Sequence, residues 1–332
     1  MRFSATLFTV SLYLAAVPDC AQDREPVPDR QSADAQSLAP VATPAAPERT
    51  VAVTFDDLPG VVRGGLPVLQ AVTARLLGHI RAADIPAIGF VNEDKLAVAG
   101  EEAQRTALLD QWLETGSELG NHTYSHPSLY RTPLADYQAD VLRGERVTTR
   151  LLANRGERPR YFRHPFLNTG PDLKTKEAFE RFLDEYGYAV APVTIDNDEW
   201  LYAAAYTSAI AQGDSALMRR IGNDYVRYMD ETFAFYEQLS RNLLGREPAQ
   251  VLLLHANAVN ADYLDELVIM MKARGYRFVS LGEALEDPAY DLPDRYAGRS
   301  GLSWLQRWAI TQGRDPGEHP TVPQWVRSIA ER

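Results

Sequence analysis

Thr50-Val51-Ala52-Val53-Thr54-Phe55-Asp56-Asp57-Leu58-Pro59-Gly60 is an apolar run that ends on two adjacent carboxylates and then on turn residues. Val51 to Phe55 has the length and β-branched content of a strand buried on both faces, and Asp-Asp-Leu-Pro-Gly is turn chemistry. Directly beyond it, Leu66 to Ala82 carries Leu69, Val72, Leu76 and Ile80 on one stripe, the mark of an amphipathic helix. The unit is strand then helix, and it repeats. Further strand candidates are Ala87 to Val91, Glu118 to Asn121, Tyr161 to Arg163, Tyr188 to Ile195, Val251 to His255 and Arg277 to Ser280. Helical spacing returns between them, as in Tyr263 to Lys272 with Leu264, Leu267 and Val268. Seven strands with intervening helices predict an α/β fold with a parallel, barrel-like sheet, and periodicity leaves a doubly wound open sheet as the alternative.

Two stretches stand outside this alternation. Leu201 to Gly245 has Ile221, Tyr225, Tyr228, Met229, Phe233 and Tyr236 at helical spacing, which reads as a helical insertion before the sixth strand packed on the barrel by an aromatic stripe. The tail after Asp287, with Trp304, Trp308 and Trp325, reads as short helices wrapping the domain.

Across its 332 residues the chain is 45% hydrophobic and 24% charged, enough apolar material for a buried core. A net charge of -11 without a Lys/Arg-dense run excludes a nucleic-acid partner, since phosphate neutralisation needs clustered cations. The opening MRFSATLFTVSLYLAAVPDCAQ has one Arg, then an apolar run too short to span a bilayer, then small residues. That is the form of a secretory signal peptide, so the mature protein is expected to be exported, periplasmic or secreted, with no membrane span. Cys20 is the single cysteine, so neither a disulfide nor a cysteine nucleophile belongs to the mature domain. The expected organisation is a signal peptide over 1–21, a flexible Pro/Ala-rich linker over 22–49, a catalytic domain over 50–285 and an extension over 286–332.

The chemistry-bearing residues collect at strand ends. Asp56 and Asp57 follow the first strand, His122 and His126 the third, Arg163 the fourth, Asp196 and Asp198 the fifth, and His255 ends the sixth. In parallel barrels that end is where active sites are built. His122 and His126 are four residues apart, which on one helical turn puts both imidazoles on one side. With Asp57 they make a two-His, one-carboxylate set suited to Zn²⁺ or a similar ion. Asp56, beside it, can take a proton from a bound water. Taken singly, the aspartates could serve as a turn or cap, Arg163 as a salt bridge and His255 as a core histidine; together at one mouth they favour chemistry.

Thr54-Phe55-Asp56-Asp57, His122-Thr123-Tyr124-Ser125-His126-Pro127, Arg163-His164-Pro165-Phe166, Asp196 to Trp200, and Leu252 to His255 resemble, in order, the five motifs of the polysaccharide deacetylase family, also called the NodB homology domain or carbohydrate esterase family 4. The resemblance implies a distorted (β/α)₇ barrel. It implies Asp56 as general base, Asp57, His122 and His126 as metal ligands, and Arg163 as the residue holding the base. His255 would be the general acid, supported by either Asp196 or Asp198 because the second acid is out of step with the usual Asp-Trp pair, with Asp196 preferred. Phe166 would give a backbone N–H to the oxyanion, Leu252 or Leu253 would line an acetyl pocket, and Trp200 would stand on the substrate side. His164 reads as pocket wall, His79 and His319 as surface residues.

The function implied is hydrolytic removal of acetyl groups from an extracytoplasmic glycan, by de-N-acetylation and in some members O-deacetylation. One divalent ion, Zn²⁺ or alternatively Co²⁺, Mn²⁺ or Ni²⁺, would activate the attacking water, and an acetylated oligosaccharide would be the partner. An amide hydrolase of the same fold acting on a small cyclic amide or ureide is the alternative enzyme. A non-catalytic glycan-binding module is a third reading, disfavoured because every catalytic candidate is present.

Overall fold

The computed structural model describes residues 49–331. The expected signal segment, Cys20 and the expected linker up to residue 48 lie outside the described residues. Strand β1 (Arg49–Leu58) is the centre of the sheet. Val51, Ala52, Val53 and Phe55 are all buried, as an apolar run covered on both faces requires. One edge of β1 pairs with β2 (Ile88–Val91) and the other with β6 (Gln250–His255), and β7 (Tyr276–Phe278) joins the start of β1. Beyond β2 follow β3 (Glu118–Asn121), β4 (Tyr161–Phe162) and β5 (Ala189–Val190), every pair parallel.

The order β5-β4-β3-β2-β1-β6 closes on itself. Ile195, a few residues beyond β5, bridges Leu252 of β6: its N–H donates to Val251 O at 3.0 Å and its carbonyl accepts from Leu253 N–H at 3.2 Å. A distorted (β/α)₇ barrel therefore holds, and the open sheet does not. The distortion is concentrated at β5, where a strand over Tyr188 to Ile195 was the expectation and the ladder covers only Ala189–Val190. Pro192 explains the break, because it has no N–H to donate and the pairing resumes only at Ile195.

Helices α1 (Gly65–Ala83), α2 (Glu102–Glu114), α3 (Leu134–Arg143), α4 (Arg146–Ala153) and α5 (Leu173–Glu185) follow the first four strands. The stripe expected on α1, from Leu69 to Ile80, is buried. Between β5 and β6 lie α6 (Glu199–Gln212) and α7 (Ser215–Leu244). Ile221, Tyr225, Tyr228, Met229, Phe233 and Tyr236 of α7 are each at most 2% exposed, so the aromatic stripe is core. Each such side chain contributes about 2 kcal/mol by leaving water. Helix α8 (Ala258–Ala273) packs closely on α7: a Cβ on Gly222 would lie 1.8 Å from the Tyr263 ring.

After α9 (Leu281–Leu285) the chain forms α10 (Trp304–Thr311) and α11 (Gln324–Ala330). The Trp304 N–H donates to Val193 O at 2.7 Å, filling the gap that Pro192 leaves in the barrel wall. Among the described residues no helix is long and apolar enough to cross a membrane.

Candidate active site and metal centre

In a regular strand Asp56 and Asp57 would face opposite sides of the sheet. The register of β1 against β2 shifts between Phe55 and Leu58, and Asp57 takes a left-handed φ of 70°. That bulge turns both carboxylates into one pocket: His122 Nε2 lies 3.7 Å from Asp56 Oδ2 and 3.9 Å from Asp57 Oδ1. It also carries β1 three residues past the expected end.

His122 to His126 is not a helical turn, contrary to the expectation. It is an irregular loop after β3 in which Thr123 (φ 68°) and His126 (φ 56°) are left-handed. Local polar groups hold it: Asn121 Oδ1 accepts from Thr123 N–H at 2.7 Å and Thr123 Oγ1 from His126 N–H at 3.0 Å. Asp140 of α3 accepts from the N–H groups of Tyr124 and Ser125. The rings still converge, their centroids 4.8 Å apart. His122 Nδ1 donates to Arg163 O at 2.8 Å, which leaves Nε2 with its lone pair directed at the aspartates.

The ligand atoms of Asp57, His122 and His126 all lie within 4.8 Å of one another. His126 Nε2 is 3.6 Å from Asp57 Oδ1, a buried oxygen that also meets the Lys95 ammonium at 2.9 Å. Burial lowers both histidines, His122 well below its ordinary value, so both offer neutral nitrogen. Burial pushes Asp57 up, but Lys95, His255 and the two histidines outweigh it and hold the carboxyl below the usual range. An ionised carboxylate facing two neutral imidazole nitrogens is a donor set that fits a divalent ion of the zinc class.

Asp56, 3% exposed, lies beside this set. The fully buried Arg163 donates from Nη1 to Asp56 Oδ1 at 3.3 Å and from Nη2 to Thr54 Oγ1 at 3.0 Å, and its guanidinium lies 4.6 Å from the Phe90 ring centroid. Burial raises Asp56 to about 6, against the pull of Arg163 and His255. It is a carboxylate near neutrality with a pKa close enough to exchange a proton there.

Facing it, His255 ends β6. The acid on His255 is Glu199, neither Asp196 nor Asp198: His255 Nδ1 meets Glu199 Oε2 at 2.8 Å. Glu199 is fully buried, and its Oε1 accepts from Asn257 Nδ2 and, at 2.7 Å, from Asn260 Nδ2. Tyr225 of α7 donates to Asn260 Oδ1 at 2.6 Å, so the insertion supports the acid's partners from behind. Burial disfavours the imidazolium, yet Glu199 overcomes it and His255 is pushed up to about 9. The physical reason for the correction is the start of α6. Asp198 immediately precedes it and uses its N–H on Tyr228 OH at 2.8 Å, while Glu199, one residue into the helix, has the reach to His255. Asp196 accepts from Asn197 N–H at 2.9 Å and is raised by burial to about 6. The signal was present in the sequence, since Glu199-Trp200 is an acid-Trp pair in register, with Glu in place of Asp.

Around this centre the substrate-side residues divide. Trp200, at the start of α6, is 57% exposed and borders a cavity of about 310 Å³ together with Asp57, Val61, Val62, Thr207 and His255. Phe166 is 60% exposed, left-handed (φ 57°), its ring 4.5 Å from that of His126. Leu252 and Leu253 are buried in β6 and border neither this cavity nor the neighbouring one of about 450 Å³ beside Lys95 and His126. His164 turns away from the site, 5.1 Å from Phe162 and 5.4 Å from Phe179, and burial keeps it neutral. His319 is half-buried, its Nδ1 donating to Pro320 O at 3.0 Å. His79 is half-buried on α1. Lys95, which the motifs do not mark, lies 2.9 Å from Asp57 Oδ1.

Residues 43–186 match the model of the polysaccharide deacetylase family. The chain is similar to that family over this span, which holds the first three of the five motifs. It is 23% identical over 238 residues to a peptidoglycan-N-acetylglucosamine deacetylase of Bacillus cereus, an alignment covering 70% of this chain and 66% of that protein. It is 24% identical over 240 residues to a chitin deacetylase of Colletotrichum lindemuthianum, covering 71% and 79%. Among solved structures it is similar to a polysaccharide deacetylase from Bacillus cereus, with 18% identity, a TM-score of 0.49 and coverage of 70% of this chain and 91% of that one. A pseudoenzyme of the CE4 family from Bacillus anthracis is similar at 15% identity, a TM-score of 0.49 and coverage of 72% and 66%.

Proposed function

We propose that the chain is a metal-dependent hydrolase that removes N-acetyl groups from a glycan outside the cytoplasm. The carrying observation is a pair of oppositely poised proton-transfer groups across the Asp57, His122 and His126 set. Asp56, at about 6, is ionised at neutral pH, and His255, at about 9, is protonated. A carboxylate that is ionised beside an imidazole that is protonated at the same pH is what a base and an acid in one site require.

An ion held by Asp57, His122 and His126 would polarise the acyl oxygen and lower the pKa of water. Asp56 takes the proton of the attacking water, with Arg163 and Thr54 fixing its carboxylate. His255 delivers a proton to the departing amine nitrogen, and Glu199 keeps that proton on the imidazole before it is needed. The Phe166 N–H is the backbone donor assigned to the acyl oxygen, at a left-handed turn against His126. Exposed Trp200 and Phe166 at the rim suit the apolar faces of sugar rings, and the curated relatives are named for chitin and peptidoglycan. An open rim with two such platforms favours an oligomeric substrate over a small cyclic amide. Export follows from the signal-like opening segment, Zn²⁺ from the donor set, and the domain limits 50–285 with an extension over 286–332 from the motif span.

The test joins metal content to acetate release from chitooligosaccharides, peptidoglycan and acetylated xylan. Wild type should bind one divalent ion that an Asp57→Ala, His122→Ala variant does not. Asp56→Asn should keep the ion and lose at least about a hundredfold in kcat. Equal metal binding by the double variant, or full turnover by Asp56→Asn, overturns the proposal.

A further inference from the structure

Lys95 sits on a short 3-10 turn (Glu93–Leu96) directly after β2, and its ammonium reaches the carboxylate of the metal set. Nζ lies 2.9 Å from Asp57 Oδ1, 3.2 Å from Asp57 O and 3.0 Å from Asn92 Oδ1. The same Oδ1 faces His126 Nε2 at 3.6 Å and His122 Nε2 at 3.9 Å. The lysine and any ion held by this set thus share one oxygen atom.

This contact is built in. Asn92 is fully buried and donates to His122 O at 2.6 Å, so the group that orients the ammonium also fixes the backbone of a metal-set histidine. The carbonyl of Lys95 accepts from Arg105 Nη1 at 3.0 Å, and Arg105 is itself paired with Glu101 at 2.8 Å. Only about a quarter of the Lys95 side chain is exposed (26%). A protonated amine has three donors and no lone pair, so it supplies charge to the site and no ligand.

We infer that Lys95 is a resident counter-cation of Asp57 that neutralises the carboxylate before an ion arrives and holds down the affinity of the site. The inference rests on the metal reading of Asp57, His122 and His126. A ligating oxygen lies about 2 Å from a zinc-class ion. With Nζ 2.9 Å from that oxygen, the two positive charges are at most about 5 Å apart while the contact is kept. At that separation, repulsion between a double and a single charge weakens binding more than about tenfold even at the dielectric of water. Moving the lysine away avoids the repulsion but gives up its contacts with Asp57 and Asn92. Either route lowers affinity, and it makes the ion exchangeable.

The test is Zn²⁺ affinity, measured by competition with a chromophoric chelator, on the chelator-stripped full chain. Lys95→Met and Lys95→Gln should bind Zn²⁺ more than about tenfold tighter than wild type, and Lys95→Arg within a few-fold of it. The melting temperature gives a second readout. In chelator the uncharged variants should melt lower than wild type, because Asp57 has lost its counter-charge, and Zn²⁺ should raise them by more. Gln keeps donors for Asp57 and Asn92, so it covers the case in which Met alone fails to fold. If wild type binds Zn²⁺ while both uncharged variants bind it no tighter, the counter-cation role falls and the metal site stands. If wild type binds no Zn²⁺, the metal reading falls and takes this inference with it.

Discussion

Replacing Glu199 with Gln isolates the interaction that keeps His255 protonated. Glu199 Oε2 lies 2.8 Å from His255 Nδ1, and the acid is fully buried, so no solvent screens the pair on that side. Gln is nearly isosteric. Its carbonyl can still accept from Asn257 and Asn260, as Glu199 Oε1 does, but its amide then presents N–H to Nδ1. Nδ1 must become an acceptor, which favours the neutral ring. Burial already lowers His255, and without Glu199 the imidazole returns from about 9 to its ordinary 6.5 or below. At pH 8 the protonated fraction drops from about nine tenths to about three hundredths, a loss of about thirtyfold in acid-competent enzyme. The assay is the pH profile of kcat/KM for acetate release. The alkaline limb should move down by about two pH units or more in Glu199→Gln. A cation bound near His255 lowers the limb in both proteins and preserves the difference. Stability carries the same sign: the folded pKa is raised, so the pair's contribution is complete below pH 6.5 and lost as pH rises through about 9. Coincident alkaline limbs in the two proteins refute the assignment of Glu199 as the residue holding the proton on His255.

Two further outcomes follow from side chains at the edge of the site. Arg307 of α10 is fully buried, donating to Leu167 O at 3.3 Å, Thr169 Oγ1 at 2.6 Å and Asp294 Oδ2 at 2.9 Å, beneath the loop that carries Phe166. Arg307→Ala breaks a buried pair and strands three acceptors, Leu167 O, Thr169 Oγ1 and Tyr296 O, although Lys176 still pairs with Asp294 at 2.6 Å. The cost is about 3 kcal/mol, which lowers the melting temperature by about 6–12 °C; a shift below about 2 °C by calorimetry contradicts it. Trp200→Ala removes an indole that is already 57% exposed, so it should leave the melting temperature within about 1 °C of wild type. If the indole packs on sugar, KM for chitooligosaccharides rises about tenfold with kcat nearly constant; an unchanged KM removes Trp200 from the substrate surface.

Much of the fold was legible because its signals are local. β1 is decided by five consecutive apolar or β-branched residues, and the α7 stripe by identities at helical spacing from Ile221 to Tyr236. β5 was over-extended because Tyr188 to Ile195 is apolar but for Thr194; the residue that breaks the ladder, Pro192, acts through a missing donor. At the site, residue identity was readable where backbone geometry was not. His122 and His126 meet, yet left-handed residues at Thr123 and His126 do what a helical turn was expected to do. Which of three nearby acids reaches His255 depended on where α6 begins. Lys95 left no mark at all, because it meets Asp57 from the end of a neighbouring strand, 38 positions away.

Those omissions share a cause that bears on how the site works. Asp56, Asp57, His122, His126 and His255 are the groups that would touch substrate or ion, and short runs at strand ends suffice to place them. Their proton states are set by groups from other elements: Arg163 after β4 on Asp56, Glu199 of α6 on His255, Lys95 after β2 on Asp57. Asp56 and His255 each experience burial that favours the neutral form, yet one keeps a pKa only near 6 while the other rises to about 9, because a buried cation faces the first and a buried anion the second. Exchanging the partners' charges would leave a protonated acid where a base is needed and a neutral imidazole where an acid is needed, with Asp56, Asp57, both metal-set histidines and His255 all intact. The opposed poise of Asp56 and His255 is thus a property of the barrel's closure, which brings β4, α6 and β6 to one mouth, more than of either residue's own strand.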